Sequence, residues 1–320
     1  MQARWLPMVA MSWLFVACGD DPKDSENPDQ TPNPATEKLN SFKKGSLSNG
    51  EDAKYWATKA SAPNIYTLVN TASLISSGPS NGEETDPNCP VTTTESLTTR
   101  TKGGCTDKNG VEWVGSMEVK IGMSGTITYV YSGFGFSQTV TCDGKSAKSK
   151  LIYDGSLKTS ATGTTQGFEA LIVMDALEVD EQTCETTASV SAVDYKGTSS
   201  GASSEDQSEP TTWNGSGRIG YADTGVISVE TQNEVTHSDT CASEAISGKT
   251  TLTTDGQRVE IQYDGATDCD PEATVTWSLN GAAQGELEGV SCSASSGPAL
   301  AMWGVGLLGL LGLMRRRARS

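Results

Sequence analysis

The chain has 320 residues, 40 acidic against 23 basic, a single histidine, eight cysteines and an apolar share of 35%. Five of the basic residues (Arg4, Arg315, Arg316, Arg317 and Arg319) sit at the ends, so the stretch between carries 18 against 40 and a formal charge of −22, which argues against nucleic acid as a partner. A lone His237 excludes multi-histidine metal sites.

The apolar residues concentrate at the two termini, and between them their share falls to about 30%, lean for an enzyme core but too regularly patterned for a disordered chain. Residues 1–18 carry Arg4, then an almost wholly apolar run from Trp5 to Ala17 that stops at Cys18 before Gly19-Asp20-Asp21. Such a run is too short for a permanent transmembrane helix and has the layout of an export signal. Phe15-Val16-Ala17-Cys18 resembles the lipobox of bacterial lipoproteins. That resemblance implies cleavage before Cys18 and a diacylglycerol on its thiol; ordinary secretion is the alternative.

Residues 19–37 are rich in Asp, Pro and Asn without periodic apolar positions, and are expected to form a disordered acidic tether. In residues 38–88, Ile65, Leu68, Val69 and Ala72 recur at helical spacing behind Pro63, predicting one or two short helices. Gly78-Pro79-Ser80-Asn81-Gly82 matches the GxSxG pattern of serine hydrolases, with His237 downstream, but Pro79 and the acidic run after Gly82 suit a loop better than a strand-to-helix elbow.

From Cys89 the period changes to two. Val111, Trp113, Met117, Val119 and Ile121 alternate with polar residues, as do Ile127-Tyr129-Tyr131, Val259-Ile261-Tyr263 and Val275-Trp277-Leu279. Asp143-Gly144, Asp154-Gly155, Asp255-Gly256 and Asn280-Gly281 read as tight turns. The expected fold of residues 89–292 is therefore all-β, an antiparallel hairpin-connected sheet or sandwich behind a short helical entry. Phe168 to Val179 is apolar enough for either a strand or a helix. Trp113-Val114-Gly115-Ser116 and Trp213-Asn214-Gly215-Ser216, with Tyr153-Asp154-Gly155 and Tyr263-Asp264-Gly265, suggest two related modules over 89–185 and 186–292.

In residues 293–320, Ala299 to Met314 is apolar throughout and is followed by the arginine cluster, whose charges should stay cytoplasmic. This tail resembles the MYXO-CTERM sorting signal of myxobacteria, which implies processing near Cys292; a retained membrane anchor is the alternative. Its GxGxxG from Gly304 to Gly309 lacks the preceding strand that a nucleotide site requires.

With Cys18 and Cys292 assigned to the ends, Cys89, Cys105, Cys142, Cys184, Cys241 and Cys269 are disulfide candidates in an oxidising compartment. Sequence-neighbour pairing is favoured, Cys89 with Cys105 and Cys241 with Cys269; a link from Cys269 to Cys292 is equally symmetric about a turn. No CxxC occurs, so zinc is not expected. Calcium could be held near Asp107-Asn109-Glu112 or Asp268-Asp270-Glu272, though solvated turns account for both. Paired acids suited to glycoside cleavage are plentiful but unmarked. Taken together, no catalytic residue, cofactor or metal is expected beyond a covalent lipid on Cys18. The expected role is a non-catalytic lipoprotein of the bacterial cell envelope, at the outer membrane or cell surface, with a membrane as its partner. A carbohydrate- or protein-binding module using Trp56, Trp113, Trp213 and Trp277 is the alternative, with a hydrolase a distant third.

Overall fold

A computed structural model of the chain describes residues 33–75, 86, 88–122, 124–142, 144–180, 182–201, 210–237, 241–263 and 274–290. Three helices come first: α1 (Pro34–Ser41), α2 (Gly50–Ala60) and α3 (Ala62–Ile75). α1 starts inside the segment expected as tether. Asn33 caps it, its side chain accepting from Ala35 N at 2.9 Å, and Pro34 supplies a φ already suited to a first turn. α2 is started by Asn49, whose side chain accepts from Asp52 N, while Asp52 reaches back to Ser48 N at 2.9 Å, a reciprocal closure of the first turn.

Strands follow in chain order: β1 (Val91–Glu95), β2 (Thr98–Lys102), β3 (Cys105–Thr106), β4 (Glu112–Ile121), β5 (Ile127–Cys142), β6 (Lys145–Thr162), β7 (Thr165–Val179), β8 (Thr186–Ser200), β9 (Thr211–Tyr221), β10 (Gly225–His237), β11 (Cys241–Thr254), β12 (Gln257–Tyr263), β13 (Thr274–Leu279) and β14 (Ala282–Glu288). All fourteen form one antiparallel sheet. Each pairs with the next in the chain, except that β2 pairs with β4, beside which the two-residue β3 also lies off the main path. The expected antiparallel, hairpin-connected architecture is what the chain adopts. Its two halves are continuous in one sheet rather than separate bodies.

The two faces of the sheet meet different helices. Trp113, Met117, Tyr131, Tyr153, Ile172, Val193, Ile219, Leu252, Val259 and Val275 form one buried cluster with Trp56 and Ala57 of α2 and Ile65, Leu68, Val69 and Ala72 of α3. Each large side chain among these contributes about 1.5–3 kcal/mol by leaving water. The opposite face carries α1. A Cβ on Gly220 would meet Phe42 and Leu39, while its neighbour Ile219 points into the cluster with α2 and α3. Between α1 and α2 the chain passes the β9–β10 turn: Val226 N donates to Lys43 O and Gly45 N to Val226 O, both at 2.9 Å. Leu47 N then donates to Gln257 Oε1 at 3.1 Å, and Leu47 is fully buried.

Two sequence expectations change and one choice left open is closed. Asp154-Gly155 is no turn but lies within the 18-residue β6, where Gly155 takes φ 110° and a Cβ would sit 1.9 Å from Leu171 O. Phe168 to Val179 is strand, part of β7, paired with β6 and β8 along its length. The tyrosines of the two Tyr-Asp-Gly steps do not occupy matching strands, since Tyr153 lies two strands beyond Trp113 and Tyr263 three beyond Trp213. The tryptophan strands do share one feature. Twenty positions after each, at Gly133 and Asn233, the next strand turns to positive φ at a bulge that shifts its register.

Candidate functional site

The most concentrated polar chemistry lies between the sheet and α3. Tyr131 donates its hydroxyl to Ala72 O at 2.8 Å, one of the last carbonyls of α3. Tyr153 shares a 2.9 Å hydrogen bond with Thr71, Tyr195 donates to Thr231 at 3.4 Å, and Tyr263 to Thr250 at 3.1 Å. Burial pushes the phenols of Tyr131 and Tyr195 well above the ordinary tyrosine range and that of Tyr153 up to about 12. At neutral pH these phenols are un-ionised and serve here as hydrogen-bonding groups. At the other end of α3, the fully buried Glu234 accepts from Ala62 N at 3.0 Å through Oε2, a carboxyl group at a helix N-terminus. Both ends of α3 are thus fastened to the sheet by side chains.

Glu234 was hidden from sequence reading by the bulge. Ile227, Val229 and Thr231 face inward at odd positions; beyond Asn233 the inward parity becomes even, so Glu234 turns in and Val235 is only half-buried. The one usable signal was a left-handed-tolerant Asn in the middle of an alternating run.

Four of the cysteines form two disulfides, Cys89–Cys105 and Cys142–Cys184, over separations of 16 and 42 residues. In the chain-entropy description these are worth about 3 and 4 kcal/mol. The first ties the entry to β1 onto β3; the second joins the β5–β6 turn to the β7–β8 turn. Such bonds mark an extracellular or periplasmic domain. Cys241 begins β11. Cys18, Cys269 and Cys292, the GxSxG segment, the acidic cluster from Asp268 to Glu272 and the apolar tail all lie outside the described residues, and so does any test of the Cys241–Cys269 link. Among the described residues no helix is long and apolar enough to cross a membrane.

The remaining candidates resolve into structural parts. Trp56, Trp113 and Trp213 are buried, and Trp277 is half-buried against the same cluster, so these four build no exposed aromatic platform. Asp107 is occupied by its own turn: Oδ1 accepts from Asn109 N at 2.8 Å and Val111 N at 3.0 Å, and Oδ2 from Trp113 Nε1 at 3.2 Å. Glu112 faces Lys148 and Ser137, whose hydrogen bonds hold its carboxyl below the usual range. Among the described residues no group of three or more His, Cys, Asp or Glu side chains is placed to hold a metal. A groove of about 480 Å³ lies between α1 and the sheet, floored by Ile152, Val173 and Val190 and rimmed by Glu37, Lys38, Asp154 and Asp175. Asp175 is ion-paired with Lys150 at 2.7 Å, and the groove is broadly open. No protein family matches this chain, and neither does any curated protein or solved structure.

Proposed function

We propose that the protein is a non-catalytic lipoprotein of the bacterial cell envelope, anchored through lipid on Cys18, with its β body serving a structural or interaction role at the cell surface. The observation that carries the reading is Phe15-Val16-Ala17-Cys18 at the end of an apolar run, followed by an acidic segment. An acyl chain contributes about 0.8 kcal/mol per buried methylene, enough with a second chain for stable anchoring without a spanning helix. The tail from Ala299 onward serves as a sorting signal processed near Cys292.

Three features of the body support this reading. Its disulfides belong to an exported domain. Its buried Glu234 and the phenols of Tyr131 and Tyr153 fasten α3 to the sheet, and those of Tyr195 and Tyr263 bond to threonines of other strands. Trp56, Trp113 and Trp213 fill the interior. Metabolic labelling with radioactive palmitate tests the anchor: the native chain takes up label and Cys18→Ala takes up none. Equal labelling of the two would remove Cys18 as the lipid site.

A further inference from the structure

The sheet ends in two strands, β1 and β14, and they are finished differently. β14 is blunted: it carries Glu286 and Glu288, and Gly285 at φ 91° lies where the ladder with β13 slips register. β1 has none of these devices between Val91 and Thr94. Its sequence is Val-Thr-Thr-Thr-Glu, rich in β-branched residues, and all five side chains are exposed.

Hydrogen-bond parity says which backbone groups that edge offers. Glu95 and Thr98 flank the two-residue Ser96-Leu97 turn, so they exchange hydrogen bonds, and by alternation so do Thr93 with Arg100 and Val91 with Lys102. Leu97 O accepts from Ile121 N at 2.9 Å on the far side of β2, as the same parity requires. The N–H and C=O groups of Thr92 and Thr94 therefore point outward.

We infer that β1 pairs antiparallel with β1 of a second copy of this chain, about a two-fold axis at Thr93. That register sets Thr92 against Thr94 of the other copy and the reverse, using all four outward groups of each strand. Centring on Thr92 would instead bring Thr94 opposite Pro90, which has no N–H. The charges fit as well. The second copy's Glu95 falls opposite Val91, one strand beyond Lys102, at about 10 Å across two strand spacings and within reach of two long side chains. On the two strands next to this edge Arg100 and Lys120 pair with Glu118, and Lys102 lies nearest the incoming carboxylate. Four ladder hydrogen bonds give a weak, concentration-dependent pair, favoured where the chain is crowded on a surface.

The experiment uses the full chain in detergent. At the axis, Thr93 and its counterpart form a pair without mutual hydrogen bonds, with Cα atoms about 4.5 Å apart, inside disulfide range. Thr93→Cys should therefore cross-link to a dimer under mild oxidation at least tenfold faster than Leu74→Cys, which is 57% exposed on α3. Adding Thr94→Pro, which deletes an outward N–H, should reduce that cross-linking at least tenfold with the melting temperature unchanged. Equal cross-linking of Thr93→Cys and Leu74→Cys would overturn the pairing, including where sedimentation shows a dimer. Cross-linking of Thr93→Cys that Thr94→Pro leaves intact in a folded protein would overturn the register.

Discussion

Ionising a phenol inside this sheet places a negative charge where burial excludes water, and the consequence is a defined alkaline limit. Tyr131, Tyr153 and Tyr195 are each about 2% exposed or less, and their folded pKa values lie above the unfolded value near 10. A pKa raised on folding means that the stabilisation is complete below pH 10 and is lost as pH climbs through the folded values. Each such tyrosine withdraws up to about 1.4 kcal/mol per pH unit in that window. Absorbance at 295 nm and far-ultraviolet circular dichroism, followed together, should show these phenols un-ionised while the sheet is intact and ionising as it unfolds above pH 10. Full phenolate absorbance at pH 10.5 to 11 with the sheet signal unchanged would contradict their burial. The sequence placed Tyr129 and Tyr131 on one alternating face. It could not supply the hydroxyl partners, because Ala72 and Thr71 come from a helix far away in the chain.

At the scale of elements, α3 is held at one end by Tyr131 on Ala72 O and at the other by Glu234 on Ala62 N. Glu234→Ala strips a buried N–H of its acceptor and should cost about 1–3 kcal/mol in urea denaturation, whereas Glu234→Gln, which keeps an accepting oxygen, should cost less. Equal losses for the two variants would assign the effect to packing alone. Strands with one face in water were legible from alternation, as in β4, β12 and β13, and so were the turns at Asp255-Gly256 and Asn280-Gly281. β7 was not, because α1 half-covers Val173 on its second face and erases the alternation. Gly155 misled for the opposite reason: a residue that suits turns also suits a strand whose neighbour approaches too closely for a Cβ. Asn33 and Pro34 were legible as a helix start, but the surrounding tether composition masked them.

Across the whole molecule, charge and apolar surface are sorted by face. The sheet's interior face wraps α2 and α3, and cross-strand pairs such as Arg100–Glu118 at 2.7 Å, Lys150–Asp175 at 2.7 Å and Arg218–Asp194 at 3.0 Å lie at or near the surface. These pairs contribute little individually, about 0–1 kcal/mol. The disulfides contribute more, closing an entry and two turns of a lean core. The lipid anchor proposed at Cys18 is the central claim open to direct test. Intact mass of the membrane-extracted protein, reduced and non-reduced, addresses it directly. The account predicts a chain beginning at Cys18 with added diacylglycerol and acyl mass, ending near Cys292, and gaining two hydrogens per disulfide on reduction. A mass that retains the first seventeen residues, or that starts at Cys18 without lipid, would contradict it.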